Sequence, residues 1–371
     1  MASKTVCVIK IDGQDVSSDV MPYLMNLSIT DKAGFSSDEC SIELDDRGGV
    51  LAFPRDGAAI EIYMGDRNGV RLAFRGTVDE VKTKGDRDGG TVLTVSGKGF
   101  DTKGKAKEQR QKHWDDKTLS DVMSEAGRAA GLDSVQVSPA LAGITRKYWA
   151  MQNESFIHFG ERLAREVGGT FKISGGKAII AERNGGKSAS GADLPTISAT
   201  RGVNLLGWDI NPVLGRPRYA ETKSRYYDAK AAKWVYRTEQ IEDPDAKATF
   251  VDRYSAADEL EASIRALSFK KESERSKGAG TISIDGNVDA QPEANVILAN
   301  ARPGADGTYR IDGVQHEFNR SSGWTTRLDV KQPQGEAGKD SRTSKRKVST
   351  ARPSGIQDST NRTGEATLAV G

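Results

Sequence analysis

QRQKHWDDKTL (residues 109–119) and NESFIHFGERLAREVGGTFK (residues 153–172) decide how this chain is read. Residues 103–117 carry six basic and three acidic side chains and almost nothing apolar before Trp114, which predicts a basic connector or exposed loop. A helix follows. Thr118 and Asp121 have capping-box spacing, Leu119, Val122, Met123, Ala126 and Ala130 mark one helical face, and Gly131 stops it. In the second stretch Phe156, Phe159, Leu163 and Val167 recur at helical spacing before the paired Gly168 and Gly169. Thr170–Ile173 and Lys177–Ala181 then read as a hairpin around Gly175 and Gly176, so residues 118–190 form a compact α+β unit.

On both sides of this unit the pattern is β. In CSIEL, Cys40, Ile42 and Leu44 alternate with polar residues, and in AIEIYMG Ile60, Ile62 and Met64 do the same. RLAFRGTVDEV and TVLTVSGKG continue the pattern around the turn GDRDGG, so residues 1–102 read as a small antiparallel barrel or sandwich. Residues 191–334 return to strands: VNLLGWDI, RYAETKSRYYD, KWVYRTEQ, GTISIDG, ANVILA, TYRIDGVQHEF and TTRLDV. Within them Ser255 and Asp258 predict the cap of a helix at about 255–277, with Leu260, Ile264 and Leu267 on its apolar face. GTVDEV, a turn and TVLTV at 76–95 are echoed by GVQHEF, a turn and WTTRLDV at 313–330, the outline of an internal duplication.

At 371 residues with 40 glycines and 36% apolar residues, the chain is expected to divide into two or three turn-rich domains. It has no run of 18 apolar residues and MASKTVCVIKI lacks the pattern of a leader, which predicts a soluble chain made in the cytoplasm with no membrane anchor. Cys7 and Cys40 sit in apolar strand patterns and are read as buried free thiols. The net charge of +2 is uneven: residues 335–371 hold seven basic and four acidic side chains and no aromatic, which predicts a disordered basic tail.

No enzyme signature is found. His113, His158 and His316 have no metal-ligand spacing, and His316-Glu317 is followed by Arg320 where a metalloprotease helix needs its second histidine. Gly186-Lys187-Ser188 ends like a phosphate loop, but Ala181 stands where the first glycine belongs, so it reads as a turn. No G-x-S-x-G elbow occurs. No catalytic, cofactor-binding or metal residue is assigned.

The two opening stretches, the order of features around them and the ending GWTTRLDV (323–330) resemble the late control D family of bacteriophage tail proteins, over roughly residues 3–332. Members form the central hub of contractile-tail baseplates and are related to the hub portion of the type VI secretion spike protein. The resemblance implies a mainly β protein with an α+β insert: two small antiparallel, tail-tube-like β-barrels at 1–102 and 191–334 and a helical domain at 118–190. It also implies a homotrimer without enzymatic activity in the virion tail baseplate, presenting six barrels to a sixfold tail tube and threefold features to the central spike. Its partners would be the spike, the tube protein, other baseplate proteins and the tape measure protein, with DNA as passing cargo. In the connector, Lys103, Lys105, Lys107, Arg110 and Lys112 are candidates for contacts between subunits or with the tube, and Trp114 is an anchor either in a partner pocket or on its own helix. The competing reading is a nucleic-acid-binding or DNA-guiding protein using the basic tail and connector. A cell-wall hydrolase is a third.

Overall fold

The computed structural model describes residues 5–34, 38–66, 69–87, 90–100, 104–212, 219–243 and 246–340. The first group of strands comprises β1 (Val6–Ile11), β2 (Gln14–Asp15), β3 (Leu24–Lys32), β4 (Glu39–Asp45), β5 (Ala59–Asp66), β6 (Gly69–Asp86) and β7 (Gly90–Lys98), with the short helix α1 (Ser17–Val20) before β3. A middle group follows: β8 (Gln109–Thr118), α2 (Leu119–Ala129), β9 (Ser134–Val137), α3 (Pro139–Ala142), β10 (Thr145–Ser155), α4 (Phe156–Glu166), β11 (Gly169–Ser174) and β12 (Lys177–Glu182). The last group is β13 (Ile197–Thr200), β14 (Leu205–Asn211), β15 (Tyr219–Asp228), β16 (Lys233–Gln240), β17 (Ala248–Val251), α5 (Glu259–Arg275), β18 (Ala279–Asp285), β19 (Asn295–Ala299), β20 (Gly307–Asn319) and β21 (Gly323–Gln334).

Period-two alternation makes the outer strands. Cys40, Ile42 and Leu44 of β4 and Ile60, Ile62 and Met64 of β5 are buried, as their pattern predicts. The fold is mainly β with an α+β insert. One feature differs from the expectation of two separate barrels: a single sheet runs β14-β18-β21-β20-β3-β4-β7-β6-β5-β1-β2, with β19 joined to β20 and β13 to β19, and no pairing among the described residues closes either half into a barrel.

The two halves of this sheet are copies of one design. In chain order β3, β4, β5, β6 and β7 correspond to β14, β18, β19, β20 and β21, and the spatial orders β3-β4-β7-β6-β5 and β14-β18-β21-β20-β19 are the same. The match holds residue by residue. A bulge between Leu24 and Asn26 against β4 is repeated between Leu205 and Gly207 against β18. A second bulge between Val78 and Glu80 against β7 recurs between Ile311 and Gly313 against β21. Val78 N donates to Ala58 O and Gly57 N to Val78 O; Ile311 N donates to Ala294 O and Glu293 N to Ile311 O. Gly57 and Glu293 share a left-handed φ of 71° and 68°. Glu293, without glycine's freedom, is held there by Arg275 Nη1 at 2.8 Å from Oε1 and Asn184 N at 3.0 Å from Oε2. The hairpin echo in the sequence is therefore structural, although Gly313 corresponds to Glu80 and not to Gly76. β1 and β13 occupy the same place in opposite directions, antiparallel to β5 and parallel to β19 respectively. β15–β17 and α5 are an insertion between β14 and β18 of the later repeat.

The repeats meet where β20 pairs antiparallel with β3, from Gly313 opposite Lys32 to Asn319 opposite Asn26. Phe318 of the second repeat is buried in the first repeat's core beside Leu27, and Trp324 packs on the same core. Around this seam the other units are tied by buried charge. Lys172 of β11 places its ammonium 2.6 Å from Asp31 and 2.9 Å from Asp38, and burial with the nearby Asp31 charge pushes the Asp38 carboxyl up to about 7. Arg275 at the end of α5 reaches Glu293 at 2.8 Å and Asp312 at 2.7 Å. Residues 335–339, which the sequence assigns to the tail, fold back: Gly338 N donates to Gly304 O and Ala337 packs on the second core. The rest of the expected tail, 341–371, lies outside the described residues.

His316 sits in the seam, 4% exposed, with Nδ1 2.9 Å from Thr326 Oγ1. Burial pushes its imidazole down to about 4 from the ordinary 6.5, so the unfolded chain binds the proton more readily. The resulting stability is complete above pH 6.5 and is lost as pH falls toward 4. Between pH 7.5 and 4.5 this one group removes roughly 2.5 kcal/mol. His316→Gln is expected to lose that share of the acid sensitivity; urea-unfolding midpoints of both proteins at the two pH values check it, and identical pH slopes would count against a buried neutral imidazole.

Candidate assembly surfaces

The basic stretch singled out in the sequence is a strand where a connector or exposed loop was expected. β8 pairs with β10 from Gln109 opposite Ser155 to Thr118 opposite Thr145, with a bulge at Gln152/Glu154. Its sequence hides this because the strand is stabilised by pairing, not by an apolar face: of residues 109–118 only Trp114 is buried. Of the candidate contact residues, Lys103 lies outside the described residues. Lys105 and Lys107 are exposed on a one-turn 3-10 helix whose Ala106 is buried. Arg110 Nη2 is 2.6 Å from Glu108 Oε2, which holds that carboxyl below its usual range, and Lys112 pairs with Glu125.

Trp114 packs on its own chain. Its ring stacks on Phe159 of α4 with centroids 5.6 Å apart, Nε1 donates to Glu125 Oε2 at 2.9 Å, and the Lys112 ammonium lies 5.3 Å from the ring centre. Opposite it in register, Trp149 is fully buried, donates from Nε1 to Lys117 O at 2.9 Å and carries the Arg146 guanidinium 4.5 Å from its ring. Arg146 continues to Glu166 at 2.6 Å and toward Glu261 of α5 at 3.7 Å. The ribbon is thereby fastened to both helices under it. The predicted caps behave as expected at α2, where Thr118 Oγ1 accepts from Asp121 N at 3.1 Å.

Helix α5 starts later than predicted. Asp258, not Ser255, is the cap, accepting from Glu261 N at 2.9 Å, while Glu261 Oε2 accepts from Ala257 N at 3.0 Å. Between the buried Glu261 and Arg275 its buried residues are small, Ala262, Ala266 and Ser268, and β15 approaches closely enough for Thr222 Oγ1 to donate to Ala266 O. Ile264 packs toward the α+β core, but Leu260 and Leu267, expected inside, are exposed. The sheet β16-β15-β17 likewise buries Thr222, Ser224 and Tyr226 and turns Tyr227, Trp234 and Tyr236 outward. Both faces of KWVYRTEQ carry apolar side chains, and that was the sequence signal for a strand covered on two sides. Besides the exposed Lys105 and Lys107, these outward apolar groups are surfaces that intrachain packing leaves uncovered.

A cleft of about 560 Å³ between α4, α5 and the segment after β17 has Arg165, Arg183 and Arg265 in its wall, each already paired with a carboxylate: Glu161 at 2.7 Å, Glu272 at 2.6 Å and Glu261 at 2.8 Å. His113 is on the ribbon, His158 in α4 and His316 in the seam. Among the described residues no group of three His, Cys, Asp or Glu side chains has the geometry to hold a metal ion. Lys187 pairs with Asp193 at 2.7 Å in a bridge that closes a turn, with no helix following Ser188. Cys7 and Cys40 are free and buried.

The profile of the family described as Phage tail baseplate hub (GPD) matches residues 39–322. The chain is similar to the probable baseplate hub protein of Escherichia phage P2, 29% identical over 231 residues that make up 62% of this chain and 56% of the relative. It is similar to that of Escherichia phage 186 at 28% over the same length. The match thus spans about half the length of these curated relatives. Among solved structures, the tail protein from Neisseria meningitidis MC58 superposes with a TM-score of 0.66 at 15% identity, covering 91% of this chain and 99% of that one. The 43 kDa tail protein of prophage MuSo2 from Shewanella oneidensis gives 0.64 at 15%, covering 88% and 98%. The Escherichia coli c3393 protein, a component of the type VI secretion system, gives 0.53 at 12%, covering 89% and 77%. These likenesses identify the fold.

Trp114→Ala removes a buried, stacked and hydrogen-bonded ring and is expected to destabilise the α+β unit by about 3–5 kcal/mol. Lys105→Ala and Lys107→Ala, on exposed side chains, are expected to change stability by less than about 0.5 kcal/mol. Thermal unfolding followed by near-ultraviolet circular dichroism compares them, and an unchanged melting temperature for Trp114→Ala would remove the ring from the core.

Proposed function

The chain belongs to the Phage tail baseplate hub (GPD) family, and from that membership we propose that it is a structural hub of a virion tail baseplate that works as a homotrimer. The observation that carries this reading is the internal repeat. Two equivalent β units per chain give six around the axis of a trimer, whereas the α+β unit and the α5 insertion occur once per chain and so three times. Six like units suit a sixfold tail tube, and three insertions suit a threefold spike. In this reading residues 1–102 and 191–334 act as tail-tube-like barrel units, residues 118–190 as the α+β domain, and the axis as a channel that opens when the spike departs. Lys103, Lys105, Lys107, Arg110 and Lys112 then serve as contacts to a neighbouring subunit or to the tube. The outward aromatic face of β15 and β16 and Leu260 and Leu267 of α5 become covered by baseplate partners.

Light scattering with absolute mass, on the chain alone and co-expressed with its spike, tests this. The expected mass is near three times 40.0 kDa, stabilised by the spike. Monomer in both samples, together with tight and salt-sensitive binding of duplex DNA by residues 1–334, would replace the hub reading with the DNA-guiding one.

A further inference from the structure

The seam inside the chain is a template for the contact between chains. At the seam β20 offers Gly313–Asn319 to β3. Its counterpart in the first repeat, β6, pairs with β5 only as far as Thr77, so the β5-side edge of Glu80–Gly85 pairs with no strand among the described residues. The counterpart of β3 is β14, which ends the sheet and pairs with β18 alone. The chain therefore carries both halves of a second seam, one at each repeat, and they do not meet. The far end of the sheet is different: β1 is blunted by β2 and by Ser17 Oγ, which accepts from Ile9 N at 2.9 Å.

We propose that β14 of one copy pairs antiparallel with Glu80–Gly85 of β6 in the next copy, in the register of the internal seam. This rests on the trimer reading and supplies its geometry. Carrying the residue equivalences across sets Lys82 opposite Asn211, Thr83 opposite Ile210, Lys84 opposite Asp209 and Gly85 opposite Trp208. Two of these pairs are complementary in a way the template does not require. Lys84 and Asp209 bring opposite charges together across the strands. At the seam Leu27 faces the large Phe318; in the transferred pair the large residue is Trp208 and the facing position is Gly85, above which an added Cβ would find nothing nearer than 3.6 Å. Trp208 is 39% exposed in the single chain while its counterpart Leu27 is 1% exposed, the difference expected if Trp208 waits for a neighbour. An edge strand carrying Leu206 and Trp208 with one charge is otherwise an unprotected template for pairing. Each copy presents one donor edge and one acceptor edge, so the contact is head to tail, and it closes as a ring when the rotation between copies is threefold.

Lys84→Cys and Asp209→Cys, on exposed strands away from the buried Cys7 and Cys40, test the register. After mild oxidation the double variant is expected to run as covalent dimer and trimer on a denaturing gel, and each single variant as monomer. A trimer by light scattering that yields no such products would overturn the pairing and leave the hub reading intact. A monomer by light scattering would overturn both. Charge exchange adds a second readout: Lys84→Glu and Asp209→Lys are each expected to weaken trimerisation about threefold or more, and their combination to restore it to within about twofold. Losses that simply add in the combined variant would overturn the proposal.

Discussion

Seven residue pairs, Gly313–Asn319 against Asn26–Lys32, hold the design together, because they turn two copies of a β unit into one sheet. Each repeat has its own core, yet the seam crosses between them: Phe318 is inserted among first-repeat residues, and Trp324 leans on the same surface. A β unit alone would expose β3 along its edge. Paired, that edge becomes interior, and His316 and Thr326 can be buried as a hydrogen-bonded couple.

The insertions gain their positions from this seam. Lys172 brings β11 to Asp31 and Asp38 beside the end of β3, and Arg275 brings the end of α5 to Asp312 at the bulge where β20 begins its pairing with β3. Buried ion pairs contribute modest net stability against apolar replacements, but removing one partner strands the other charge, so they fix orientation strongly. That suits an assembly part. In the proposed trimer its once-per-chain elements must be held at a set angle to its twice-per-chain elements for two symmetries to meet.

Much of this was legible in the sequence. Alternation located the outer strands, Thr118 marked the start of α2, and the paired glycines placed the β11–β12 hairpin, since each depends on neighbours within a few residues. The misses share one cause. β8 has no apolar face and exists because β10 pairs with it; α5 buries alanines because β15 is close, leaving Leu260 and Leu267 outside; and the two hairpins are equivalent at positions that share almost no side chains. These features are decided by partners far along the chain, or by surfaces beyond it. The candidate lysines were visible as a charge run and VNLLGWDI as a strand, whereas the open edge of β14 became recognisable only through its counterpart.

The separation of the seam's two strands along the chain also constrains synthesis. β3 is complete after Lys32, but its partner ends at Asn319, so at roughly 5–20 residues per second a ribosome leaves the bare edge waiting for tens of seconds. During that interval the first repeat can fold on its local hairpins while its edge is open to the same strands in chains emerging nearby on the message. The β20 of another nascent chain would fit that edge as well as its own. Rapid translation through the insertions, or a chaperone that shields β3, would therefore raise the yield of correctly paired hub without altering a single native contact.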